Sequence, residues 1–144
     1  MDRELRILLD ERAINAVMNE YCQAMDSGQN DRWMNCFTAD ALYDVALPDG
    51  RTFVRLEGEA DLRKFIAGYP VVQGNKHIYV TPLFDVDHDA GTATVEAYWF
   101  MLSGSENKAG ISSLGRVHDK FVRGADGRWR MKERRVATEG MVIS

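Results

Sequence analysis

From Ile7 to Met25 the apolar residues Ile14, Val17, Met18, Tyr21 and Met25 recur at steps of three and four, which predicts an amphipathic helix. Ser27-Gly28 ends it, the glycine being free to take the left-handed C-terminal position. Asn30 or Asp31 is expected to cap a short second helix that carries Trp33, Met34 and Phe37. Residues 41–47 and 52–56 read as strands joined by the Pro48-Asp49-Gly50 turn. A third helix over residues 59–69 puts Leu62, Phe65, Ile66 and Tyr69 on one side and stops at Pro70.

Beyond Pro70 the period changes to two. Residues 77–86, 92–102, 111–123 and 128–138 form long alternating runs, separated by Asp87-His88-Asp89-Ala90-Gly91, the segment 103–110, and Gly124-Ala125-Asp126-Gly127. Helices come first and an antiparallel meander last, with no β-α-β alternation. The pattern specifies an α+β domain with N-terminal helices on one face of a curved, mostly antiparallel sheet. No repeat or linker divides residues 1–144, so a single domain is expected.

Composition adds mainly exclusions. Hydrophobic residues make up 45% and charged residues 28%, as in ordinary globular domains. A net charge of −4 argues against a nucleic-acid partner, which would require a basic face. The densely charged residues 1–12 read as neither a signal peptide nor a membrane span, so a cytoplasmic protein with no membrane partner is expected. Cys22 and Cys36 match no metal or redox spacing and are expected to be reduced, partly buried thiols. No phosphate loop, nucleophile elbow or metal-ligand cluster is present, so no metal and no cofactor is expected.

The candidate chemistry is sparse. Asp26 lies ~140° around the helix from Tyr21, at the stripe's margin, and at the C-terminal end, where the macrodipole disfavours a carboxylate by up to ~1 kcal/mol. His77 opens a strand whose two faces, His77/Tyr79/Thr81 and Ile78/Val80, both carry bulk. A carboxylate, an imidazole and a phenol together make a proton-transfer set. His88, in an acidic turn, reads as solvated, and His118, alternating with Lys120, as lying on an outer face. Asp85 to Glu96 nearly matches a calcium loop, but its glycine comes one place late and its flanks are strands, leaving an acidic hairpin turn. In the basic run from Arg128 to Arg135, adjacent Arg134 and Arg135 must point to opposite faces, so one guanidinium can reach the interior; the alternation does not decide which.

The segments Tyr21-Cys-Gln-Ala-Met-Asp26-Ser-Gly, Trp33, Cys36-Phe37-Thr38-Ala39-Asp40-Ala41, Lys76-His77 and Asp126-Gly-Arg-Trp129-Arg, in this order and spacing, resemble the nuclear transport factor 2-like superfamily. Within it they are most similar to the SnoaL-like branch that includes scytalone dehydratase, hexachlorocyclohexane dehydrochlorinase and bile-acid 7α-dehydratase. The resemblance implies a cone-shaped α+β domain enclosing an apolar pocket. It implies an Asp26–His77 pair in which the histidine removes a substrate proton, with Tyr21 polarising a carbonyl or leaving group. It also implies Tyr43 as an aromatic pocket wall and Arg134 as an active-site arginine. Trp33 and Phe65 are expected to bind the substrate beside them, in a pocket lined by Tyr, Phe, Met and Trp. The second histidine of scytalone dehydratase would fall near Ser103–Ser105, and the base aspartate of ketosteroid isomerases near Val45; neither is present.

The expected function is therefore a cofactor-independent lyase acting on a small apolar cyclic or aromatic substrate by dehydration, dehydrohalogenation or loss of formaldehyde. The alternatives are an isomerase or polyketide cyclase on the same pocket, or a non-catalytic binding or assembly subunit resembling the small subunit of ring-hydroxylating dioxygenases. The resemblance also implies a homo-oligomer, a trimer ahead of a dimer.

Overall fold

A computed structural model describes residues 1–142. Its elements are α1 (Arg3–Ser27), α2 (Asn30–Met34), β1 (Phe37–Ala46), β2 (Thr52–Glu57), α3 (Glu59–Gly68), β3 (Lys76–Asp87), β4 (Thr92–Ser105), β5 (Lys108–Arg123) and β6 (Trp129–Met141). Every element expected from the sequence forms, most of them longer than the pattern indicated. Helix α1 starts early because the Asp2 carboxylate accepts the Glu4 main-chain N–H. It ends as expected at Gly28, whose φ of 70° closes the left-handed cap. For α2 neither Asn30 nor Asp31 is the cap. Gln29 occupies that position without a capping hydrogen bond from its side chain, and Asp31 pairs with Arg63 of α3 instead.

The six strands form one sheet in the order β2-β1-β6-β5-β4-β3. Only the β1–β6 pair is parallel. The β4–β5 connection is tighter than the expected loop: both strands run to a two-residue turn at Glu106-Asn107, each with positive φ, the geometry that matches the twist of a hairpin. Register shifts interrupt β3, β4, β5 and β6, and such bulges bend long strands. Helix α1 packs against β3 and β6, and most of its expected stripe is buried: Ile14 and Met18 are fully enclosed, Tyr21 and Met25 nearly so, and Val17 is half-buried at the edge. Each such side chain contributes roughly 1.5–3 kcal/mol by leaving water.

One close contact shapes the region around the N-terminal end of β3. A Cβ on Gly74 would lie 1.7 Å from the Gly104 carbonyl oxygen, so the α3–β3 loop lies directly on the end of β4 and only glycine fits there. In β6 a bulge at Lys132 sets Met131 opposite Phe121 and Glu133 opposite Lys120. Among the described residues no helix is long and apolar enough to cross a membrane.

A candidate active site at the mouth of the helix–sheet cavity

Asp26 is the penultimate residue of α1 and His77 the second residue of β3, 51 positions apart. Helix α1 crossing to the start of β3 brings them together. One Asp26 carboxylate oxygen accepts the His77 main-chain N–H at 2.9 Å, and the other accepts the ring Nδ1–H at 2.6 Å. Both side chains are largely buried. A carboxylate that accepts from both groups fixes the backbone, the ring orientation and the tautomer together. The histidine lone pair is thereby confined to Nε2. The placement of Asp26 against the helix dipole is explained by these two donors.

His77 lines a cavity of about 160 Å³ together with Tyr21, Tyr43, Phe65, Tyr69 and Arg134. Aliphatic and aromatic side chains of β2, β4 and β6 complete an apolar wall, with Val45 of β1 also among them. The Tyr21 and Tyr43 hydroxyls are 2.7 Å apart. One must donate to the other, so the pair keeps one O–H for a third group. Burial holds the Tyr21 phenol well above the ordinary tyrosine range, reinforced by Tyr43 and opposed by Arg134. Burial raises Tyr43 as well. Both are O–H donors at neutral pH.

Arg134 is the member of the adjacent pair that faces inward: it is 2% exposed, while the Arg135 side chain remains 48% exposed on the other face. The Lys132 bulge decides this. It shifts the alternation by one, so Trp129 and Met131 share the interior with Arg134 rather than with Arg135. The Arg134 guanidinium lies 4.1 Å above the Tyr21 ring centre and 3.2 Å from a carboxylate oxygen of Asp119, which is fully buried. The contact lacks hydrogen-bond alignment, and Nε and Nη1 of Arg134 and both Asp119 oxygens find no aligned partner among the described residues. Burial pushes the Asp119 carboxyl up to about 6, against the pull of Arg134 and His118.

The sequence-derived residues thus divide. His77, Tyr21, Tyr43, Phe65 and Arg134 share the cavity, with Asp26 behind the histidine. Trp33 does not line it. It is fully buried one layer back, with ring centres 5.9–6.0 Å from those of Tyr21, Tyr43 and Phe65, because α2 inserts it between α1 and α3. The expectation for His88 is overturned: its Nδ1 lies 2.5 Å from Asp10, which also accepts from Trp129 Nε1, so His88 ties the β3–β4 turn to α1 rather than facing water. His118 is half-exposed beside Glu96, as its alternation indicated, and the near-match to a calcium loop is the β3–β4 turn. Cys22 and Cys36 are free buried thiols, raised by burial to about 11 and about 12. No group of three potential ligands suited to a metal occurs among the described residues.

Two residues escaped the sequence reading of the site. Tyr69, the C-terminal cap of α3, places its hydroxyl 3.5 Å from His77 Nε2. Asp119 stands in phase with buried Val117 and Phe121 on β5, a carboxylate on an apolar face that could have identified it.

A family model described as a SnoaL-like domain matches residues 6–135. The chain belongs to that family. Its fold is the nuclear transport factor 2-like one, and solved structures align over almost all of this SnoaL-like protein. Rv3472 of Mycobacterium tuberculosis, of unknown function, aligns at 21% identity and TM-score 0.79, covering 99% of this chain and 79% of its own. A provisional scytalone dehydratase from Novosphingobium aromaticivorans aligns at 22% identity and TM-score 0.74, over 96% of this chain and 93% of its own. The β subunit of a provisional aromatic-ring-hydroxylating dioxygenase from the same organism aligns at 16% and TM-score 0.80, over 96% and 94%. At these identities the likeness is one of fold. No curated protein matches the sequence.

Proposed function

We propose that this SnoaL-like protein is a cofactor-independent lyase in which His77 removes a proton from a carbon adjacent to a carbonyl or comparable electron sink. The observation that carries the reading is the double acceptance by Asp26, which commits Nδ1 and leaves Nε2 as the basic atom of a residue lining an apolar cavity. Asp26 stabilises the imidazolium that forms, and a positioned base of this kind supplies ~10²–10⁴-fold. The spare O–H of the Tyr21–Tyr43 pair meets the charge developing on the substrate oxygen. Arg134, stacked under the Tyr21 ring, favours that negative charge from behind.

The cavity is smaller than most ligand pockets, which run to roughly 300–1,000 Å³, so the substrate is a compact body of one or two rings with a hydroxyl or halide leaving group, or with a hydroxymethyl group whose O–H gives its proton to His77 while the C–C bond breaks toward the electron sink and formaldehyde leaves. An isomerase or cyclase would use the same base. A pure assembly subunit is the weaker alternative, since it needs neither an open cavity nor a dyad held at 2.6 Å. The reading takes the protein as cytoplasmic and as associating with further copies of itself.

5-Nitrobenzisoxazole is a suitable first probe: it is small and aromatic, and its ring opens with a coloured product when a base removes its one acidic C–H. Wild type should open it faster than His77→Gln by ~10²-fold or more. Equal rates in the two proteins would sink the assignment of His77 as base.

A further inference from the structure

The atom that must receive the substrate proton is already next to an acid. Tyr69 Oη stands 3.5 Å from His77 Nε2, at the outer limit of a hydrogen bond. Its ring packs on Phe65, with centres 5.7 Å apart, and tilts toward His77, with centres 6.2 Å apart. Tyr69 caps α3 with its main-chain N–H bonded to Ile66 and precedes Pro70, so its backbone is held from both sides. The loop from Tyr69 to His77 is in turn seated on β4 by the Gly74–Gly104 contact. The phenol is thus delivered to the base by a short, anchored path, and like His77 it lines the cavity.

An elimination breaks a C–H bond and a bond to a leaving group on neighbouring atoms, and where both depart from the same face of the substrate the base and the acid stand side by side, as His77 Nε2 and Tyr69 Oη do. Resting on the reading of His77 as base, we propose that Tyr69 is a catalytic residue, the general acid that protonates the leaving group. The proton balance closes within the pair. Nε2 takes the proton from carbon, and the C–H electron pair forms the new π bond. The bond to the leaving oxygen breaks with its electrons on that oxygen, which takes the Tyr69 proton and departs as water or a phenol. The imidazolium then passes its Nε2 proton to the Tyr69 phenolate, and both groups return to their starting states without an outside donor. Burial raises the Tyr69 phenol to about 12, so it enters each cycle protonated. Tyr21 and Tyr43, which bond to each other, remain assigned to the substrate oxygen.

The test varies leaving-group basicity while keeping the proton removed the same. Ring opening of 5-nitro-, 5-chloro- and unsubstituted benzisoxazole is measured with wild type, Tyr69→Phe and His77→Gln. Tyr69→Phe retains the ring that packs on Phe65, and its thermal unfolding is recorded alongside to verify the fold. The loss caused by Tyr69→Phe should be smallest for the nitro compound, whose phenolate departs unaided. It should grow to ~10²-fold for the unsubstituted one. A loss of the same size for all three overturns the general-acid role and makes Tyr69 a positioning residue at most. A series that wild type opens no faster than His77→Gln removes the base itself, and with it this inference.

Discussion

Replacing Asp26 by asparagine tests the site at its most constrained point, because the two hydrogen bonds cannot both survive. The His77 main-chain N–H is an obligatory donor and lies 2.9 Å from one carboxylate oxygen. Asparagine has a single oxygen. If that oxygen stays on the main-chain N–H, the amide NH₂ faces Nδ1, which must then become an acceptor, and the ring proton moves to Nε2. If the amide flips, two donors face each other at the backbone and a largely buried N–H goes unpaired, costing ~1–3 kcal/mol. That difference favours the Nε2–H tautomer by a factor of roughly 5–150, and this tautomer has no lone pair to offer the cavity.

The variant also loses the charge that stabilises the imidazolium, so the combined fall in benzisoxazole ring opening should be ~10²–10⁴-fold. The lost charge-assisted bond costs stability by roughly 1–3 kcal/mol, lowering Tm by about 3–10 °C in a chain of this size. Long-range proton–nitrogen correlation of the ring, at a pH where it is neutral, separates the cases. Wild type should carry the proton on Nδ1 and Asp26→Asn on Nε2. A variant that keeps the proton on Nδ1 and retains activity to within about threefold would refute the reasoning, since the carboxylate would then control neither tautomer nor rate.

Two further outcomes concern the buried charges. Arg134→Met should cost ~3–5 kcal/mol in urea unfolding, because it strands Asp119 without its cation, and the double variant Arg134→Met/Asp119→Leu should recover much of that loss. A double variant no more stable than the single one would show that the pair does not act as a unit. For Asp119 the sign of the pH effect follows from a carboxyl raised to about 6. Between the unfolded value near ~3.9 and that value the folded state binds more protons. The group therefore favours folding at acid pH, and the contribution is lost as pH rises through about 6. Measured against Asp119→Asn, which cannot titrate, wild type should gain about 1–3 kcal/mol on going from pH ~7 to ~4; a difference independent of pH would count against the raised carboxyl.

How much of this could be read from the chain depends on the distance over which each feature is determined. The α1 stripe and the long strands follow from local periodicity, and Gly28 ends the helix where its conformational freedom indicates. Asp26 and His77 were legible as residues out of place on their own elements, although the resemblance, not the spacing, paired them. His88 was misread because the carboxylate that claims it, Asp10, lies 78 positions away on α1, and nothing in an acidic turn signals a buried partner. Trp33 was placed one layer too far forward, since periodicity gives the side of a helix but not what another ring will put in front of it.

The choice between Arg134 and Arg135 shows where local reading fails in principle. Strict alternation from Trp129 and Met131 would have sent Glu133 and Arg135 to their face and set Asp119 opposite Glu133, carboxylate against carboxylate. The extra residue at Lys132 reverses that assignment, and its register is set by pairing with β5 on one side and β1 on the other. The same bulge places a guanidinium behind Tyr21 and a carboxylate behind the guanidinium, both of them incompletely bonded. A fold selected for stability alone would gain from replacing that pair with apolar side chains of similar volume. A site that must accept negative charge on an oxygen next to Tyr21 needs the cation, and the cation needs Asp119. On the proposed lyase reading, the bulge, the buried pair and the phenols answer to one requirement, that of an electron-accepting end to the cavity opposite a base held by Asp26.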